Sequence, residues 1–545
     1  MKTEKFGSER ATFGWCHTLA LVWLIACGAL SVRAGALDEG PASGSDRWPG
    51  ADLFTNGAVS QIRIQVSTRD LEKLGKESRQ FVPASVSEGG TLYPNVAIHL
   101  KGSVGSFRPL ENKPGLTVDF SRFEANQRFH GLRRIHLNNS VEDPSYCNEA
   151  LGSAAFRAAG IPAPRVSRAV VFLNERRLGI YVLKEGFTED FLSCYFNSVG
   201  ANLYEPDEGH DVNQHLKRTS VQARSGNRAA LRALAQAALE AEPERRWNRL
   251  EQTLELNRFI RLMALEVMLC HRDGYCLARN NFRVYQDLDT GKMVFFPHGM
   301  DQLFGSADLP WTPKMAGVVA KAVMETREGN QRYSQEFKTL FRKLFEPESL
   351  ARQVDELLNE LSAVADKSEL ASIRLECSSV KNRIRARHEQ LEQQLKAAQQ
   401  EPVSLANGIG PLTGWVKVDP PVSGEMDDVI GPDGSRCLHI RAGSDTSASW
   451  RTKARLEPGR YWFEGKVSVS GVQPLGFGAH QGAGLRIAGQ PRQAPDLVAD
   501  SAWHLQRESF EVGPDGGEIE FICEFRARAG EAWFDRGSLR LVRAP

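Results

Sequence analysis

Residues 271–305, HRDGYCLARNNFRVYQDLDTGKMVFFPHGMDQLFG, gather a His-Arg-Asp triplet, the paired Asn280-Asn281, an apolar run and an isolated Asp301. Those residue types are the inventory of phosphoryl transfer. One carboxylate orients the attacking hydroxyl, while an amide and a second carboxylate hold Mg²⁺ against the phosphates. Upstream, KGSVGSF (101–107) places Gly102, Ser103, Gly105 and Ser106 in a turn between two expected strands. Such a turn can lay backbone N–H groups over phosphates, although most Gly-Ser turns are only turns. Lys113 precedes the next strand, where a phosphate-binding lysine would stand; a lone lysine there is usually just solvated. Glu149 has two readings: a carboxylate that favours a helix N-terminus, or the partner of a phosphate-binding lysine.

Periodicity says which elements must position these residues. Alternating apolar residues predict strands over 61–66, 114–120, 129–139, 169–173 and 178–183, with two more in VPASVSEGG and VAIHLKG. A short helix is expected over 70–76, and another begins at Asp143-Pro144-Ser145, runs to about Ala159 and is stopped by Gly160 and Pro162. The spacing predicts a small antiparallel sheet with one helix inserted. From Arg228 to Cys270 the period becomes helical; a hairpin then crosses DLDTG, and helices resume from about Ser334 to Ala397. From about Pro402 many short strands with Gly and Pro turns predict a separate β-sandwich.

Composition sets bounds on this picture. A chain of 545 residues exceeds what one core supports, so two or more domains are expected. A net charge of +1 gives no global footprint for nucleic acid. Lys2, Lys5 and Arg10 precede a short apolar run, and SVRAGA follows as a small-residue cleavage site, which reads as an export signal. Leu24-Ile25-Ala26-Cys27 also resembles a lipobox, in which Cys27 would carry a lipid anchor and give the only membrane attachment. Either way the mature chain lies outside the cytoplasm: extracellular, periplasmic or at the cell surface. Nine cysteines include no C-x-x-C pair, so neither a zinc ribbon nor a disulfide framework is indicated. Cys270 and Cys276 read as small buried residues, and Cys437 and Cys523 fall on strands of the last domain with pairing left open. HEQLEQQ lacks the second histidine of a zinc-protease helix.

Taken in order, the Gly turn, Lys113, Glu149, the strand ending at Lys184-Glu185, Asp273, Asn281 and Asp301 follow the order in which kinase-like folds deploy their parts. An ordinary protein kinase is excluded: position 278 is Ala where the catalytic-loop Asn would stand, and D-F-G, A-P-E and G-x-G-x-x-G are absent. The runs LKGSVGSF with NKPGLTVDF, FHGLRRIHLNN, DPSYCNEAL, AAGIPAPRVSRAVVFLNERRLGIYVLKE, HRDGY with NNFRVY, FFPHGMDQLFG and RIRARHEQLEQQL resemble the CotH kinases, a family of atypical kinases.

The resemblance implies a two-lobe kinase-like α+β domain over 59–398, after a signal peptide (1–36) and a linker (37–58), with the sandwich at 402–545. It implies ATP and Mg²⁺ as cofactors and a Ser/Thr-rich protein substrate. Asp273 would be catalytic and Asn281 and Asp301 would hold the metal. Gly102, Ser103, Gly105, Ser106, Lys113 and Glu149 would bind the nucleotide, with Glu185 at the hinge. Two departures stand out: Gly299 occupies the place of a second carboxylate, and Lys101 replaces an Arg before the glycine turn. The last domain, in GEAWFDRGSLRLV, resembles jelly-roll carbohydrate-binding modules, which implies a glycan ligand with Trp415, Trp450, Trp462 and Trp503 as candidate platforms. The alternatives are a decayed kinase fold serving as a surface scaffold and a purely structural sandwich.

Overall fold

The computed structural model of the protein describes residues 48–55, 57–103, 105–206, 209–218, 228–399, 402–513 and 516–544. The expected export signal, Cys27 and most of the linker lie outside the described residues.

Helix α1 (Ala51–Thr55) leads into β1 (Ser60–Gln65), α2 (Thr68–Lys76), β2 (Val82–Glu88), β3 (Thr91–Lys101), β4 (Gly115–Asp119) and β5 (Arg134–Asn138). After α3 (Asn148–Ala158) come β6 (Val166–Leu173) and β7 (Arg176–Glu185). The expected small sheet is in fact a closed barrel, in the order β1-β2-β3-β4-β5-β7-β6. Closure comes from a parallel pairing of β1 with β6, Ser60 opposite Ala169. It removes both sheet edges, and no local pattern announces it because the partners are more than a hundred residues apart. Ile62, Ile64, Val96, Ile98, Leu100, Leu116, Val118, Ile135, Leu137, Tyr181 and Leu183 fill the barrel at a period of two. Helix α3 begins later than Asp143-Pro144 suggested. Asp143 stands outside it and takes the Asn148 N–H at 2.9 Å.

The chain continues through α4 (Glu189–Ser193), β8 (Leu203–Glu205), β9 (Lys217–Arg218), α5 (Ala229–Ala238), α6 (Pro243–Thr253) and α7 (Leu256–Met268). Then follow α8 (Tyr275–Ala278), β10 (Phe282–Gln286), β11 (Met293–Pro297), α9 (Val318–Met324), α10 (Arg327–Leu344), α11 (Pro347–Ser362) and α12 (Lys367–Gln399). Helix α7 is apolar on nearly every side and is buried from Phe259 to Met268 apart from Arg261. Helices α3, α9, α10, α11 and α12 and the outer residues Val170, Ile180 and Val182 of the barrel share its core. Strands β10 and β11 pair across the expected hairpin, in a sheet ordered β11-β10-β8-β9.

The remainder is all strand: β12 (Ile409–Pro411), β13 (Val416–Val418), β14 (Gly424–Ile430), β15 (Arg436–Ala442), β16 (Thr446–Leu456) and β17 (Gly459–Gln473). After them come β18 (Gly482–Ile487), β19 (Ser501–Val512), β20 (Gly517–Ala527), β21 (Ala529–Asp535) and β22 (Arg540–Arg543). One sheet runs β12-β22-β17-β21-β15-β14 with β19 beside β17, the other β13-β16-β20-β18. Phe463 of the first meets Phe521 of the second edge-to-face at 5.2 Å, in a core of their own. Trp450 belongs to that core and Trp415 packs against it, so neither is a free platform. Trp462 is half-buried beneath Arg507, and Trp503 is half-buried on β19. Cys437 and Cys523 sit on opposite sheets as free buried thiols.

Candidate active site

The outer face of the barrel carries the charge. With Leu100, Val118, Leu137 and Leu183 pointing inward, alternation sends His99, Thr117, His136 and Lys184 outward in one cross-strand row. Thr117 meets His136 at 3.1 Å. Lys101, one step further along β3, donates to the side-chain carbonyl of Asn138. Burial and the Lys184 charge push Lys101 down to about 8. Burial, with Lys101, Arg134 and Lys184 nearby, holds His136 well below its ordinary value, and His298 is held down by burial, Lys184 and Arg283. Lys101 and Lys184 repel one another and keep both imidazoles uncharged, and the two lysines make the surface complementary to an anion.

Helix α3 ties that face to the segment bearing Asp301. Lys184 forms a buried ion pair with one oxygen of Glu149 and also contacts His298 Nδ1 at 3.2 Å. The other Glu149 oxygen accepts the Met300 N–H at 2.9 Å, and Asn148 Nδ2 donates to the Asp301 carbonyl at 2.8 Å. Burial works against ionised Glu149, but Lys184, Lys101 and the Met300 N–H together draw it below the usual range. Asp301 goes the other way: burial, with Glu149 and Glu142 nearby, raises it to about 6.

The 271–281 loop is braced from below. The Glu266 carboxylate, buried in α7, accepts the N–H groups of Tyr275 at 3.1 Å and Cys276 at 2.7 Å. A Cβ at Gly274 would come within 2.7 Å of that carboxyl, which explains the glycine after the triplet. Asn281 N–H donates to the Asp273 carbonyl at 2.8 Å, and Asn281 Nδ2 donates to the Gly299 carbonyl at 3.0 Å. His271 reaches the same carbonyl at 3.1 Å. Asp273 is therefore linked through Asn281 to the backbone two residues before Asp301. Gly299 has φ +54°, and a Cβ there would lie 2.6 Å from the Asn281 amide. The Asn281 amide fills the space that a side chain at 299 would need.

Three expectations come out differently. Lys113 is not the partner of Glu149: it donates to the Tyr146 hydroxyl at 2.7 Å and lies over the Tyr181 ring at 5.1 Å. Glu185 shares the parity of Tyr181 and Leu183, not of Lys184, so it faces away and forms a buried pair with Arg165 at 2.6 Å. The 102–106 turn closes on itself. Ser103 N–H donates to Ser106 Oγ, and the N–H groups of Ser106 and Phe107 both donate to the Ser103 carbonyl. The Glu142 carboxylate also stands where a Gly105 Cβ would be. The N–H groups of Ser103 and Ser106 are thus taken up within the turn, beside an acidic residue, instead of standing open as donors. Sequence reasoning missed Lys184, Lys101, Glu142, Asn148 and His298. Lys184 and Lys101 had a readable signal, the alternation in GIYVLKE and VAIHLK that sets them opposite Leu183 and Leu100 in facing.

The sequence profile of the CotH kinase protein family matches residues 98–410, more than half of the chain. The chain belongs to the CotH kinase protein family. Among individual CotH proteins it is 23% identical over 261 residues to Invasin CotH2 of Rhizopus delemar, covering 42% of this chain and 43% of that one. It is 22% identical over 202 residues to the inner spore coat protein H of Bacillus subtilis, covering 34% of this chain and 53% of the relative. The chain thus spans about half the length of the curated CotH relatives it matches. Two solved structures resemble part of it. TmCBM61, solved with beta-1,4-galactotriose, is 14% identical over 27% of this chain and 100% of its own, at a TM-score of 0.18. The CBM22-1–GH10 modules of Clostridium thermocellum Xyn10B, solved with xylohexaose, are 16% identical over 24% of this chain and 26% of their own, at 0.17.

Proposed function

We propose that this CotH protein is an exported atypical kinase that transfers the ATP γ-phosphoryl group to Ser or Thr hydroxyls of a surface or coat protein. The observation that carries the reading is Glu149, with one oxygen on Lys184 and the other on the Met300 N–H. Through it a single helix sets the cationic face of the barrel against the segment carrying Asp301. In this reading Lys184 and Lys101 hold phosphate oxygens. Asp273, half-exposed at the loop apex, orients the acceptor hydroxyl and takes its proton as the new O–P bond forms and the bond to ADP breaks.

The residues present suit Mg²⁺. Among the described residues no group of three or more His, Cys, Asp or Glu is disposed to hold an ion alone. Mg²⁺ keeps several waters and takes one or two carboxylates plus substrate phosphates, so Asp301 and the Asn281 amide oxygen would hold it. When bound, the ion would neutralise charge on the phosphates. The relatives named as a spore coat protein and an invasin support the surface address, and the sandwich would tether the enzyme to glycan through Trp462 or Trp503.

A second reading, a non-catalytic scaffold, is favoured by one observation: the carboxylate missing at Gly299 has no room to return, because Asn281 fills its place. Labelled ATP with Mg²⁺ separates the two. Phosphate should pass to the protein itself or to a Ser-rich peptide, and Asp273→Ala should abolish transfer. Wild-type protein that transfers nothing would sink the kinase reading. A thermal midpoint unmoved by Mg²⁺-ATP would further select a scaffold that binds no nucleotide.

A further inference from the structure

Cys147 and Cys377 lie 230 positions apart in the chain, yet their sulfurs are 3.7 Å from each other. Cys147 caps the N-terminus of α3, Cys377 lies within α12, and both are completely buried. Each thiol also points at one acceptor, the Ser145 carbonyl, at 3.3 Å from Cys147 and 3.9 Å from Cys377. Two thiols with partners would be equally satisfied apart, as Cys270 is on the Ser306 carbonyl at 3.1 Å. Here both share one acceptor and otherwise face each other. The sulfurs need to approach by under about 2 Å to reach bonding distance.

We propose that Cys147 and Cys377 are a disulfide site, oxidised by a low-molecular-weight disulfide as the chain folds outside the cytoplasm, and that the bond pins α3 to α12. The thiolate of one cysteine attacks a sulfur of the small disulfide and expels one small thiolate. The second cysteine then attacks the mixed disulfide, forms the Cys147–Cys377 bond and expels the other. Two protein thiols are oxidised, one small disulfide is reduced, and the two protons end on the two released thiols. Burial of both sulfurs then shields the bond from reductants. The bond is formed beside Asn148 and Glu149, the two residues that hold the 300–301 backbone, so it steadies the candidate site without taking part in it. The setting rests on the exported address proposed above; the pairing rests on the geometry alone.

The full chain, refolded with oxidised and reduced glutathione and then alkylated in denaturant without reductant, provides the test. Non-reducing peptide mapping should find the Cys147 and Cys377 peptides joined, two hydrogens lighter than their sum, and separated by reduction. The thermal midpoint of the oxidised protein should exceed that of the reduced protein by roughly 5 °C, since the closed loop is long, and Cys377→Ser should erase that difference. Both cysteines fully alkylated after refolding would overturn the pairing. So would an equal loss of midpoint on reduction in Cys377→Ser. The same mapping on protein secreted from cells tests the address separately: a bond found after refolding supports the pairing whether or not the secreted protein carries it.

Discussion

At the scale of single residues, the ion pair between Lys184 and Glu149 is the sharpest commitment. Both side chains are removed from water, so deleting one partner strands a charge instead of merely losing a contact. Lys184→Met should cost about 3–5 kcal/mol by denaturant titration, and adding Glu149→Gln should recover part of the loss. Recovery of nothing would mean the pair is not coupled. The lowered Glu149 contributes stability that is present above the ordinary carboxylate value and lost as pH falls below it. Asp301 has the opposite sign. Its value is raised to about 6, so the stability of its protonated form is present below 3.8 and is lost as pH rises through 6. Metal binding needs the ionised form. Mg²⁺-ATP affinity, measured by calorimetry, should therefore fall roughly tenfold per pH unit below about 6. Asp143, also raised to about 6 by burial, titrates in the same window beside it. Asp301→Asn should flatten the binding profile, and an unchanged slope in that variant would assign the proton elsewhere.

At the scale of elements, α12 does more than its helical sequence suggests. Arg387 is fully buried and donates to the carbonyls of Val267 at 2.9 Å and Met268 at 3.2 Å, at the end of α7. It also donates to Ala307 at 2.9 Å and Leu309 at 2.5 Å, just past the Asp301 segment. One side chain thus satisfies acceptors on both sides of the candidate site. Arg387→Ala should lower stability by about 3 kcal/mol or more, because several buried carbonyls would lose their donor. Arg385→Ala, which breaks an exposed pair with Glu348, should leave the midpoint unmoved. Equal effects would remove the clamp. In the run RIRARHEQL the apolar stripe of Val380, Ile384, Leu391 and Leu395 passes through position 387 at helical spacing and misses 383 and 385, so the buried arginine is readable in the pattern. Which carbonyls Arg387 meets on that face is a tertiary matter.

At the scale of the molecule, the barrel with its helices and the sandwich have separate cores, and Val403 N–H already bonds to the Arg455 carbonyl within the sandwich. Scanning calorimetry should resolve two transitions, and a chain ending at residue 399 should retain the one that Mg²⁺-ATP shifts. A single transition lost altogether on truncation would show the two parts to be one cooperative unit.

The sequence by itself determined the elements and much of the chemistry on offer. Period-two runs became β1 to β7, the helical period became α7 and α12, and the residue types in 271–305 pointed to the phosphoryl transfer proposed above. These are local properties, written in residue type and spacing. Tertiary structure alone decided the barrel closure, the choice of Lys184 over Lys113 as the partner of Glu149, the pairing of Glu185 with Arg165 and the contact of Cys147 with Cys377. Each of these joins positions distant in the chain, and each was settled by which side of a strand or helix ended against which neighbour.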